Sequence, residues 1–120
     1  MSRSSALSTH ILDTASGRPA EGVRVQLWRM QPVPALLAEE RTDADGRAGG
    51  ALLQAERFRP GRYELRFFVG DYFAARGMAG GPEERYLDVV AVSVGLREGQ
   101  GHYHVPLLCT PWSYTTYRGS

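Results

Sequence analysis

The sequence predicts a mainly β protein, a β-sandwich of roughly seven or eight short strands with one short helix. Several segments alternate apolar with polar residues, which is the period of a strand with one buried face. The 120 residues include 14 glycines and 7 prolines, a share that favours tight turns over long helices. This length is typical of one domain and no linker or repeat divides it, so we expect a single domain over residues 1–120.

In the first half of the chain, the second predicted strand has the clearest pattern. Val23, Val25 and Leu27 fall on one of its faces. Arg24 and Gln26 fall on the other face, as expected for a half-buried strand. The strands predicted here are residues 6–13, 22–30 and 35–42 and a short segment near residues 51–53.

The second half contains the one segment that fits a helix, residues 71–78. Gly77 or Gly80 can end this helix, and Pro82 lies beyond it. The other segments are rich in β-branched and aromatic residues, which favour strands. These strands are predicted at residues 61–69, 87–96, 102–110 and 112–117.

Composition excludes several classes of function. The formal net charge is only +1, so we expect no nucleic-acid partner. The chain has no lysine, which excludes a Schiff-base amine and a phosphate-binding P-loop. Its one cysteine, Cys109, lies in an apolar run and is predicted to be a buried structural thiol rather than a nucleophile.

The distribution of apolar residues predicts a soluble, cytoplasmic protein with no membrane partner. No apolar stretch approaches the roughly 20 residues that span a bilayer. The first dozen residues also lack the continuous apolar run of a secretion signal.

The three histidines are the first candidates for chemistry. His102 and His104 are two residues apart in a predicted strand, so both side chains fall on one face. With His10 they form one possible three-histidine zinc site, although a pair of ordinary polar strand residues fits the same spacing. Ser8, His10 and Asp13 are not a catalytic triad, because a strand places Asp13 on the face opposite the other two.

Arg47 is a second candidate, because it directly follows the predicted turn at residues 43–46. This turn resembles part of a calcium-binding loop, but Arg47 and Gln54 occupy positions that need oxygen ligands. The calcium interpretation therefore fails. A guanidinium next to a tight turn is well placed to bind an oxyanion or a urea-like group, although a solvated loop arginine remains the alternative.

The last four residues, Tyr117, Arg118, Gly119 and Ser120, form a dense group of hydrogen-bonding atoms. A frayed tail is one interpretation. The other is that these residues line a small polar pocket.

Four motifs are spread along nearly the whole chain. They are L-S-T-H-I-L-D at residues 7–13, T-D-A-D-G-R at 42–47, H-Y-H-V-P-L-L at 102–108 and Y-R-G-S at 117–120. Together, and in this order, they resemble the motifs of the 5-hydroxyisourate hydrolase family, which is related to transthyretin.

The resemblance implies a sandwich of two four-stranded antiparallel sheets that assembles as a homotetramer, with sites in channels between dimers. It implies hydrolysis of 5-hydroxyisourate to 2-oxo-4-hydroxy-4-carboxy-5-ureidoimidazoline in urate degradation, by attack of water on a cyclic amide and without metal or cofactor. The catalytic residues would be His10, Arg47 and His104. The substrate-binding residues would be His10, Arg47, Tyr117, Arg118, Gly119 and Ser120.

Two alternatives to this enzyme stay open from the sequence. A transthyretin-type carrier of hydrophobic ligands would need an apolar channel rather than histidines and arginine. A zinc hydrolase would use the histidines as metal ligands. Which histidine acts as base and which as acid is also left open.

Overall fold

Short strands joined by turns make up most of the structure, a computed structural model that describes residues 6–48 and 52–119. Helix α1 is short. The elements within these ranges are β1 (Ala6–Asp13), β2 (Arg18–Pro19), β3 (Arg24–Arg29), β4 (Ala35–Arg41), a 3₁₀ helix (Ala55–Arg57), β5 (Gly61–Phe67), α1 (Val69–Ala75), β6 (Val90–Leu96), β7 (His102–Cys109) and β8 (Tyr114–Thr116).

The strands form two four-stranded sheets, which confirms the predicted sandwich. One sheet has the order β2-β1-β7-β8 and the other β4-β3-β5-β6. The prediction of purely antiparallel sheets is wrong at one place, since β1 and β7 are parallel. A short hairpin forces antiparallel pairing, but the chain between β1 and β7 passes through the other sheet and imposes no such direction.

Alternation along the strands builds the core between the sheets. Every second residue of β1 is buried, including Leu7 and Ile11, and the other residues are partly exposed. Tyr63, Leu65 and Phe67 on β5 are fully buried. Each buried Leu, Ile or Phe side chain stabilises the fold by about 1.5–3 kcal/mol. On β1, Ser8 and His10 alternate with the buried residues and therefore lie on the outer face of the first sheet.

Helix α1 begins two residues earlier than predicted and ends three residues earlier. Val69 and Phe73 are buried, so packing against the core decides where the helix begins. Gly77 has a φ of +73° and follows the last turn, where the Met78 amide donates to the Phe73 carbonyl. This is the left-handed helix end that glycine favours.

Other boundaries shift because turns take residues away from strands. Strand β8 begins at Tyr114, since the amide of Ser113 donates to the Thr110 hydroxyl in the preceding turn. The predicted segment near residues 51–53 is reduced to a bridge between Leu53 and Leu7. Residue 51 lies outside the described residues.

Two buried residues confirm predictions about chemistry. Asp13 is fully buried, on the face of β1 opposite Ser8 and His10, and its Oδ2 accepts a hydrogen bond from the Tyr72 hydroxyl at 2.8 Å. It therefore takes no part in a triad. Cys109 is 1% exposed, and burial raises the pKa of its thiol to about 12. Such a thiol is a poor nucleophile.

The described residues contain no helix that is long and apolar enough to cross a bilayer.

Candidate active site

The pairing of β1 with β7 brings the histidines together on the outer face of the first sheet. Ser8 lies directly opposite His104, and His10 lies opposite Pro106. The ring centroids of His10 and His104 are 6.4 Å apart, and those of His102 and His104 are 6.5 Å apart. His10 and His104 therefore meet across two adjacent strands.

Arg47 reaches the same place because its turn is anchored to β1. Arg47 forms an isolated backbone bridge with His10. One carboxylate oxygen of Asp43 accepts hydrogen bonds from the amides of Asp45 and Arg47, at 2.9 and 3.0 Å. The Ile11 amide donates to the Gly46 carbonyl at 2.8 Å. The turn therefore has a fixed backbone, as the sequence predicts, and the structure places it next to His10.

Gly46 allows this close approach. Its φ is +79°, which side chains other than glycine rarely adopt, and a Cβ there would collide with the Ile11 carbonyl oxygen. The turn can lie against β1 only because this position has no side chain.

A hydrogen bond to the turn determines the tautomer of His10. Its Nε2 lies 2.8 Å from the carbonyl oxygen of Asp45. A carbonyl oxygen only accepts hydrogen bonds, so Nε2 must carry a proton. In the neutral ring Nδ1 is then the basic nitrogen.

His104 is held in an environment that favours its neutral form. Partial burial lowers the pKa of His104, and the positive charge of Arg47 and the neighbouring His10 and His102 lower it further. A neutral imidazole at neutral pH is able to accept a proton from water.

Ser8 is a site residue that the sequence reasoning missed. Its Oγ lies 2.6 Å from His102 Nε2 and 3.0 Å from His104 Nδ1. The sequence does indicate that Ser8 lies on the same face of β1 as His10, because the two are two residues apart. The hydrogen-bond partners of Ser8, however, depend on the parallel register of β1 and β7. The sequence does not contain that register.

Of the last four residues, the structure brings Gly119 to the histidines. Its amide donates to the His104 carbonyl at 2.7 Å. The Arg118 guanidinium instead lies 4.3 Å from the centre of the Tyr103 ring. Tyr117 and Arg118 line a separate cleft of about 330 Å³, and Tyr117 is 58% exposed. Ser120 lies outside the described residues.

The zinc alternative requires three side chains arranged as metal ligands. Within residues 6–48 and 52–119, no three His, Cys, Asp or Glu side chains are arranged to hold a metal ion. His102 instead bonds to Ser8 and is exposed.

Comparison with known proteins matches the chain to one family. The sequence profile of the HIUase/Transthyretin family matches residues 7–119. The chain is 44% identical over 121 residues to 5-hydroxyisourate hydrolase 2 of Rhizobium meliloti (strain 1021), and the match covers 100% of both.

Two solved structures have the same fold. The chain matches 5-hydroxyisourate hydrolase of Klebsiella pneumoniae with a TM-score of 0.81 and 39% identity, over 97% of this chain and 99% of that one. It matches (S)-allantoin synthase with a TM-score of 0.90 and 41% identity, over 99% of this chain but only 45% of that one. Since the family profile spans almost the whole chain and a relative is 44% identical over its full length, this chain belongs to the HIUase/Transthyretin family.

Proposed function

We propose that this chain hydrolyses 5-hydroxyisourate to 2-oxo-4-hydroxy-4-carboxy-5-ureidoimidazoline, a step of urate degradation in the cytoplasm. The observation that carries the proposal is the convergence of His10, His104 and the backbone of Arg47 at one face. These residues come from three separate parts of the chain. The 5-hydroxyisourate hydrolase of Rhizobium meliloti, 44% identical over its whole length, supports the choice of substrate.

The three side chains suit the opening of a cyclic amide by water. Neutral His104 accepts a proton as water attacks the carbonyl carbon. The guanidinium of Arg47 stabilises the negative charge that develops on the carbonyl oxygen. His10 binds the ring through Nδ1, because its Nε2 is engaged by the Asp45 carbonyl. His104 then gives a proton to the departing nitrogen, which completes the hydrolysis.

The carrier alternative fits these residues less well. A channel for hydrophobic ligands is predominantly apolar. Here the outer face of the first sheet presents three imidazoles, a serine hydroxyl and an arginine. No observation on the described residues favours the carrier over the hydrolase.

We further propose that residues 1–120 act as one domain within a homotetramer, with substrate sites between copies. Strand β8 is an edge strand of three residues, and exposed aromatic side chains lie on or beside it. Trp112 is 69% exposed, Tyr114 44% and Tyr117 58%. Open edges and exposed aromatic residues are features that association would cover. In such an assembly Tyr117, Arg118, Gly119 and Ser120 would complete the wall of the substrate pocket.

The decisive experiment follows the loss of freshly generated 5-hydroxyisourate by its ultraviolet absorbance, against the spontaneous background. Wild-type protein is compared with His10→Asn, His104→Asn and the double variant. We expect each single variant to lose about 100-fold or more in kcat, and the double variant to lose little more, because residues that act as a unit are not additive. Independent, multiplying losses would contradict a shared catalytic step.

A second arm of this experiment tests the zinc alternative. We expect the rate to survive exhaustive dialysis against a chelator, because the proposed chemistry needs only imidazole and guanidinium groups. Loss of turnover on chelation and its return with zinc would require His102 and His104 to be metal ligands.

A further inference from the structure

The hydroxyl of Ser8 connects two histidines that differ in their contact with solvent. Ser8 Oγ is 2.6 Å from Nε2 of His102 and 3.0 Å from Nδ1 of His104. His102 is exposed, whereas His104 is only partly exposed. Hydrogen bonds therefore connect His104 in the candidate site, through Ser8, to His102 at the surface of the described residues.

The single proton of this hydroxyl couples the two rings. A serine hydroxyl can donate to one ring at a time, because it carries only one proton. The other ring must then donate its own N–H to Oγ. If Ser8 donates to His102, His104 carries its proton on Nδ1 and its Nε2 is basic. If Ser8 donates to His104, Nε2 of His104 carries the proton in the neutral ring.

We propose that Ser8 is a positioning residue that makes His102, Ser8 and His104 a proton relay, in which His104 alternates between base and acid. The inference rests on the proposed function, because it assigns His104 to the proton transfers of that reaction.

The relay balances in each direction. As Nε2 of His104 takes a proton from the attacking water, its Nδ1 proton passes to Ser8 Oγ and the Oγ proton passes to Nε2 of His102. His102 then holds the positive charge and His104 is neutral with its proton on Nε2. The reverse transfer returns a proton to Nδ1 as Nε2 protonates the departing nitrogen.

The surroundings of His104 favour the transfer of the positive charge from His104 to His102. Burial lowers the pKa of His104, and the nearby Arg47, His10 and His102 lower it further. His102 is exposed, so water can solvate the positive charge that the relay places on it. Hydrolysis of an amide to a carboxylic acid also releases a proton at neutral pH, since the acid ionises. Exchange between His102 and solvent gives that proton a route out.

The first test needs no substrate. Imidazole nitrogen NMR reports which ring nitrogens of His102 and His104 carry protons, in the wild type and in Ser8→Ala, Ser8→Thr and His102→Gln. We expect Ser8→Ala to change the tautomer populations of both rings. Ser8→Thr keeps a hydroxyl and should preserve the wild-type pattern better than Ser8→Ala. An unchanged His104 tautomer and titration in Ser8→Ala would overturn the proposal.

The second test is kinetic. Ser8→Ala should lower kcat about 10- to 100-fold with much less change in KM, as expected when the partner that orients a functional histidine is lost. His102→Gln can still form a hydrogen bond to Ser8 but cannot take up a proton, so it should lower kcat as well. Ser8→Ala combined with His102→Gln should cost little more than either change alone. Ser16→Ala, which removes a serine hydroxyl from an exposed turn, is the matched control and should retain the wild-type rate.

The outcomes separate this inference from the proposed function. Wild-type protein without turnover would refute the proposed function, and the NMR comparison would still decide whether Ser8 couples the two rings. Wild-type turnover with full kcat in Ser8→Ala or His102→Gln would overturn the relay and leave the hydrolase in place.

Discussion

The positive charge of Arg47 affects the chemistry of His104 without a direct bond. Burial lowers the pKa of His104 first, and the charge of Arg47 is the next cause. A nearby cation disfavours the imidazolium form. The same residue that is proposed to stabilise the oxyanion therefore also keeps the proposed base neutral.

Arg47→Gln should raise the pKa of His104, because it removes the cation and keeps a polar side chain. An NMR titration of the His104 ring measures the shift. Arg57→Gln, in the 3₁₀ helix, removes another exposed arginine and should leave the titration unchanged. Identical His104 titrations in the wild type and Arg47→Gln would contradict the electrostatic argument.

The lowered pKa of His104 also predicts that the free energy of unfolding decreases at low pH. Folding lowers the pKa of His104 below the ordinary value of 6.5, so the unfolded chain binds the proton more tightly. The His104 contribution to the free energy of unfolding therefore decreases as the pH falls through 6.5, and the decrease should be smaller in Arg47→Gln. Chemical denaturation at several pH values measures it.

Gly119 leaves room for the His104 ring. A Cβ at Gly119 would lie 2.8 Å from Cδ2 of His104 and 3.1 Å from Cγ of Pro106. Because the proline ring is rigid, the imidazole of His104 would have to move to make room for a Cβ at residue 119. Gly119→Ala should lower kcat about 10- to 100-fold, because small displacements of a catalytic group are costly. Its thermal transition should change little.

Gly81→Ala is the control for this variant. A Cβ at Gly81 would make only an ordinary contact, 3.6 Å from an oxygen of Glu84. Full activity in Gly119→Ala would show that the His104 position tolerates the added methyl group.

At the scale of elements, the turn at residues 43–47 decides whether Arg47 reaches the site. The sequence predicts this turn and its fixed backbone from Asp43, Asp45 and Gly46. Which strand the turn contacts could not be predicted, because the hydrogen bond from Ile11 to Gly46 joins distant parts of the chain.

Gly46→Ala should destabilise the fold by about 3 kcal/mol, because strain at positive φ adds to the collision with the Ile11 carbonyl. Gly17→Ala is the matched control. Gly17 has a φ of +77°, but no atom lies within 4 Å of the place that an added Cβ would take, so this change should cost only about 1 kcal/mol. Chemical denaturation gives both values, and equal losses would mean that the turn can move away from β1.

For the strands, too, the sequence predicts what depends on neighbouring residues but not what depends on contacts between distant residues. Strand β1 occupies residues 6–13 as predicted, because its alternation matches one buried face. The parallel pairing of β1 with β7 could not be predicted, since direction and register depend on contacts between residues far apart in the sequence. Helix α1 shifted because burial of Val69 and Phe73 outweighs local helix signals.

At the scale of the whole molecule, the proposed homotetramer makes activity depend on association. Arg47 is exposed in the single chain, so in the proposed assembly another copy covers the substrate beside Arg47. Light scattering should give about four times the mass of one chain, and dilution that dissociates the assembly should lower the specific activity. A fully active monomer at micromolar concentration would contradict this arrangement.

The sequence by itself determined most of the strands, the turn before Arg47 and the choice of the histidines as candidate site residues, because alternation, turn chemistry and residue type are local properties. The structure confirmed the two four-stranded sheets. Only the tertiary structure decided which side chains meet: the register of β1 against β7 places Ser8 between His102 and His104, and the packing of the turn places Arg47 beside His10. It also turned Arg118 toward Tyr103. The physical reason is that such contacts result from burying the whole core at once, and no short segment contains the residues on both sides of a contact.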